Sequence, residues 1–189
     1  MFHSPAAAIQ FLISEVLEFI RLRGNEASAA ISFSCIALDK DGLVYVADWR
    51  NDRIQKFAPD GQWLASFGRS GSGIGQFNRP SGVCVDKDGE MYIADRQNDR
   101  VQILAPNGRF IVALTGDHRL SKWGREKLQS NPDMIRQRAL AMAHDHGAFE
   151  KAFSHPCAVK VDDQVRLAVL DHTRGRIQVY RKSRDPVLD

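Results

Sequence analysis

A carboxylate, a carboxamide and a guanidinium recur in this sequence at a fixed spacing, Asp-x-x-Asn-x-Arg. They stand at Asp48, Asn51 and Arg53, and again at Asp95, Asn98 and Arg100. A carboxylate held beside a guanidinium could take part in proton transfer. The repetition argues for another role. A catalytic group is needed once, whereas a turn brace is needed in every copy of a repeated unit. Asp and Asn side chains satisfy loop amides, and Arg pairs with a carboxylate. A third copy keeps Asp171 and Arg176 but has Arg174 in the asparagine position, so its loop should be braced differently.

The other chemistry-bearing strings fail on context. GSGIG (71–75) has part of a dinucleotide-loop spacing, but it leads into FNRP and a strand pattern. No helix N-terminus would face a phosphate there. The two DKDG strings (39–42 and 86–89) open like a calcium loop but lack further acidic positions and a closing glutamate. His144 and His146 are two apart in a helical pattern and would not face one way. Cys35, Cys84 and Cys157 form no C-x-x-C pair, so neither a disulfide framework nor a structural zinc site is expected. There is no G-x-S-x-G string. No catalytic residue, metal ligand or cofactor is assigned.

The elements that carry these residues follow from composition and repetition. The chain has 189 residues, 43% hydrophobic and 26% charged. That composition excludes a disordered chain, a collagen-like repeat and a coiled coil. A formal net charge of +3 is too mild to argue for nucleic acid by itself. Residues 39–63 laid over 86–110 match at an offset of 47, with 14 of 25 positions identical. A third copy, 156–180, lies 76 residues beyond 80–104, so 29 additional residues separate copies two and three. In copy two the pattern predicts strands at 82–86, 91–94, 100–104 and 109–114, joined by the turns DKDG and APNG and the loop DRQND. Four short strands in about 45 residues describe one blade of a propeller. Such a unit buries its faces only by stacking on neighbours.

These motifs resemble the NHL repeat family. The resemblance rests on Phe77-x-x-Pro80, Val85-Asp86, Tyr92-Ile93-Ala94-Asp95, Asn98-x-Arg100-Val101-Gln102 and Gly108-x-Phe110. It implies a mainly β fold, a partial β-propeller of three NHL-like blades with about eleven antiparallel strands. The blades are expected at about 31–76, 77–116 and 153–182, resembling the C-terminal half of a larger, usually six-bladed, ring. Copy one lacks the Phe-x-x-Pro lead-in, and copy three lacks a fourth strand.

Two helical additions are expected. Ser4-Pro5 opens a run with Ile9, Leu12, Ile13, Val16, Leu17 and Ile20 on one face and Gly24 at its end. Residues 5–23 therefore read as an amphipathic helix within a 1–30 segment, and 31–189 as the propeller part. Glu15 and Glu18 interrupt the apolar run, which argues against a signal peptide or a membrane span. The insert 117–145 reads as two short helices.

Strand alternation sorts the connections onto two ends of the blades. DKDG and APNG fall at one end; DWRND, DRQND and the inter-blade connections fall at the other. By analogy with propeller enzymes, the second end points to Trp49, Arg50, Arg79, Arg96, Gln97, His155, His172 and Arg174 as contact residues. The resulting expectation is a binding module in the cytoplasm, with a protein partner or self-association, and with RNA less well supported. The alternatives are a propeller lyase or lactonase-type hydrolase needing a completed ring, and a truncated fragment without independent function. ADRQNDRVQ (94–102) is similar to the lyase that finishes peptide amidation. That lyase has a metal-binding histidine after the blade proline, where Ser81 and Cys157 stand here.

Overall fold

The computed structural model describes residues 33–116, 133, 136 and 152–182. The first antiparallel sheet contains β1 (Phe33–Leu38), β2 (Val44–Asp48), β3 (Arg53–Phe57) and β4 (Trp63–Phe67). The second contains β5 (Pro80–Val85), β6 (Met91–Asp95), β7 (Arg100–Leu104) and β8 (Phe110–Leu114). The third contains β9 (Pro156–Val161), β10 (Arg166–Asp171) and β11 (Arg176–Arg181). Sheets of four, four and three strands, each in chain order, are those of a partial propeller. The expected helix at 5–23 lies outside the described residues. So does the helical insert at 117–145, except for Asp133 and Arg136, each of which is helical. Otherwise, helix among the described residues is confined to a 3₁₀ turn at Arg96–Asn98, within a string expected to be plain loop.

The strand ends differ slightly from the expected ones because side chains close the turns. Asp86 falls outside β5. Its Oδ1 accepts from the backbone N–H groups of Asp88 and Glu90, each at 2.9 Å. Asp39 does the same for Asp41 and Leu43, and Asp162 for Gln164 and Arg166. The Asp39 and Asp86 carboxylates also accept from the Tyr45 and Tyr92 hydroxyls. The third blade has Ala168 in that tyrosine position, and Arg166 Nε fills the role at 2.7 Å.

Stacking explains the sequence pattern of the inner strands. Every residue of β6 is buried. Met91 and Ile93 pack toward the first sheet, with Tyr45, Ala47 and Ile54. Tyr92 and Ala94 pack toward the third, with Val159, Leu167 and Val169. A strand covered on both sides reads as a continuous apolar run rather than an alternating one. Phe77 and Phe153, 76 residues apart, are buried in the two junction cores. The inner strands of neighbouring blades touch through backbone. Ser34 Oγ donates to Pro80 O and Ser81 Oγ to Pro156 O, both at 3.1 Å. A Cβ on Gly82 would lie 3.1 Å from Ala158 Cα and 3.2 Å from Cys157 O, so a side chain there would push β9 away by a few tenths of an ångström.

The outermost faces of the arc differ. On the first sheet, Val44, Val46 and Phe57 are buried. On the third, Ile177 and Val179 are 66% and 65% exposed. Among the described residues β11 also lacks the neighbour that β3 and β7 find in β4 and β8.

Candidate binding face

Each β2–β3-type loop is organised around a buried aspartate. The Asp95 carboxylate accepts from Asn98 Nδ2, from Arg100 Nε at 2.8 Å, from Gln102 Nε2 at 3.0 Å and from Asn78 N at 2.7 Å. Asp48 accepts equivalently from Asn51, Arg53 and Gln55. A carboxylate removed from water needs this many donors to remain charged without a large penalty. The same donors reach the preceding connection. Arg100 Nη2 bonds Gly73 O and Gln76 O, and Asn98 Nδ2 bonds Gly71 O. In the third blade Asp171 accepts from Arg176 Nε and Ser154 N, each at 2.8 Å, and the carboxamide is missing. Arg174 stands in that position, with its Nε buried and unpartnered among the described residues.

A second carboxylate joins each blade to the next, and the sequence reading passed it over. Asp52 Oδ1 accepts from Arg79 N at 2.6 Å, and Asp99 Oδ1 from His155 N at 2.7 Å. All four residues have positive φ, between 51° and 55°. Arg79 and His155 precede prolines, where such a conformation is uncommon; the carboxylates hold it. The signal was available, because Asp52 and Asp99 are 47 apart in the aligned copies. The third copy has Gly175 at the equivalent position.

The structure brings three of the expected contact residues together and distributes the rest. Arg50 Cζ lies 5.7 Å and Arg79 Cζ 5.5 Å from the Trp49 ring centroid, close enough for cation–π attraction. Trp49, Arg50, Asp52, Asn78 and Arg79 line an open cleft of about 490 Å³. At the next junction Arg96 and Gln97 take the Trp49 and Arg50 positions, and His155 takes that of Arg79. His155 Nδ1 is 3.1 Å from Thr173 Oγ1 and 4.0 Å from Asp99. Gln97 and His172 are exposed. Arg96, like Arg174, buries an Nε with no acceptor among the described residues.

Charge separates the two ends of the blades. The loop end carries Arg50, Arg69, Arg79, Arg96 and Arg174 against Asp52 and Asp99, whose carboxylates are already engaged. The turn end carries exposed Asp41, Asp60, Asp88 and Asp163 as well as the turn-closing Asp39, Asp86 and Asp162. Against these seven and Glu90 stand six cations, Lys40, Lys87, Arg109, Arg166, Arg181 and Lys182. Lys182 bonds Glu90 at 2.6 Å; partial burial pulls its pKa down, but Glu90 and Asp86 outweigh this and the net change is upward. Burial pushes the Tyr92 hydroxyl well above its usual range, aided by Asp86. Burial also pushes the Cys84 thiol up to about 12. Both groups sit in the blade-two to blade-three core, away from the loop end.

No group of three or more His, Cys, Asp or Glu side chains could hold a metal among the described residues. No helix of the described residues is long and apolar enough to cross a membrane.

The NHL repeat family matches residues 34–57 and 77–104, so the first two blades carry NHL repeats. No curated protein matches the sequence. A protein of unknown function from Bacteroides thetaiotaomicron has a similar structure, with a TM-score of 0.57 and 16% identity. It is matched over 82% of this chain and 37% of its own. Virginiamycin B lyase from Staphylococcus aureus has a TM-score of 0.47 at 11% identity, over 85% of this chain and 44% of its own. Kuenenia stuttgartiensis hydrazine synthase has a TM-score of 0.46 at 11% identity, over 85% and 39%. The chain thus spans less than half the length of these structures.

Proposed function

We propose that this chain is an NHL-repeat binding module whose loop end receives a protein partner. The observation that carries this reading is the charge separation. Among the described residues, arginines without engaged counter-charges collect at the end that also bears the long inter-blade connections, while acids outnumber bases at the turn end. A field of one sign on one face steers a partner of the opposite sign and fixes its orientation. The repeated carboxylates of Asp48, Asp95 and Asp171 act in this reading as turn braces that hold the loops for contact. Asn51, Arg53, Asn98, Arg100 and Arg176 are their partners. Rigid loops lower the ordering cost of association.

A photo-crosslinking residue at Gln97, exposed at the loop end, tests this against one at Asn107, exposed at the turn end. In extract from the source cells the Gln97 position should give discrete protein adducts. Replacing Arg50, Arg79 and Arg96 together by serine should abolish them. Equal adducts from Asn107, or adducts indifferent to the three arginines, would contradict the proposal.

A further inference from the structure

The cleft beside Trp49 has the chemistry of a carboxylate receptor. Two guanidiniums lie against one indole, and among the described residues neither forms an ion pair. The one carboxylate in the lining is Asp52. Its Oδ1 takes Arg79 N and its Oδ2 takes Ser70 Oγ, both at 2.6 Å. It therefore fixes the backbone of Arg79 instead of neutralising a guanidinium. Stacking on an aromatic face also leaves the N–H edges of an arginine free for an in-plane acceptor.

The next junction is an internal control. It has the same clamp, Asp99 on His155 N, but Arg96, Gln97 and His155 replace the Trp49, Arg50 and Arg79 set. His155 already has Thr173 as a partner. The clamp therefore repeats without the arginine pair, so blade stacking alone does not require Arg50 and Arg79.

Building on the proposed loop-end docking, we infer that this cleft binds the carboxylates of an acidic peptide segment of the partner. Paired guanidinium forks match carboxylate geometry. Single-stranded RNA is the less suitable occupant, because its recognition uses several exposed aromatic platforms. Among the described loop-end residues Phe77 and Phe153 are buried and Phe67 is half-buried, which leaves the His155 and His172 imidazoles beside a Trp49 already flanked by arginines.

Labelled octaglutamate titrated into the full chain at low salt, read by fluorescence anisotropy, tests the inference. Arg50→Ser with Arg79→Ser should weaken binding by about tenfold or more, as expected for lost charge-assisted bonds. Gln97→Ser should leave it within about twofold, and the double variant should keep the wild-type circular dichroism spectrum. Octauridylate should bind more weakly than octaglutamate. Tighter octauridylate binding, or a folded double variant that binds octaglutamate like wild type, would overturn the inference. If Gln97 crosslinks persist while octaglutamate fails to bind, loop-end docking stands and the acidic ligand falls. If octaglutamate binds through Arg50 and Arg79 while loop-end crosslinks are absent, the reverse holds.

Discussion

The two blade junctions share a scaffold and differ in what they present to solvent. Each has a buried phenylalanine, a serine hydroxyl on a proline carbonyl and an aspartate on the amide preceding that proline. Above these, the first junction shows Trp49, Arg50 and Arg79, and the second Arg96, Gln97 and His155. Positions that repeat across the junctions hold the blades together. Positions that change are the ones the proposed docking would use.

Removing a repeated group should cost stability. The largest effect is expected at the buried brace. Asp95→Ala strands the donors of Asn98, Arg100, Gln102 and Asn78, for a loss of about 3–5 kcal/mol by urea unfolding. Asp171→Ala should cost less, because no carboxamide is stranded there; an equal loss would remove the distinction between the braces.

Gly82→Ala comes next. Its Cβ would press on the backbone of β9, and overpacking there should cost about 1–3 kcal/mol. The aligned Cys35 already carries a side chain, whose Sγ donates to Val83 O at 3.7 Å. Cys35→Ala should therefore be milder, and the reverse order would mean the inner strands are not in close contact at the second junction.

Asp52→Ala and Asp99→Ala should each cost about 1 kcal/mol. Near-equality is the sharper expectation, since both clamp an amide at positive φ. A large difference would show that one junction relies on something other than the shared clamp.

Much of this was legible in the sequence. The 47-residue self-match located two blades, and the Asp-x-x-Asn-x-Arg string marked its loops because it recurs. Clustering was not legible. Arg79 precedes Pro80 in one blade and Trp49 lies in the previous blade, 30 positions earlier in the chain; only stacking brings them together. Asp52 escaped notice because its partner is a backbone amide of another blade, which leaves no pattern within one repeat. The expected helices at 5–23 and 117–145 rest on periodicity and end signals in the sequence.

The smallest expected effect concerns the thiols. With its pKa raised to about 12 by burial, Cys84 stays protonated in the folded chain at pH 8. The half-buried Cys35 and Cys157 should react first with Ellman's reagent, and Cys84 only on unfolding. A raised folded pKa favours the folded state below the ordinary thiol range of about 8.5. That contribution is lost as pH climbs toward 12. Rapid reaction of all three thiols in the native state would show that the second junction opens readily.

The most direct measurement is a titration of the ¹⁵N-labelled chain with octaglutamate, following the arginine side-chain Nε–H resonances. Shifts concentrated at Arg50 and Arg79, with Arg53, Arg100 and Arg176 unmoved, are the predicted result: unrepeated arginines bind and repeated ones brace. Shifts centred on Arg109 at the turn end, or on the brace arginines, would contradict it.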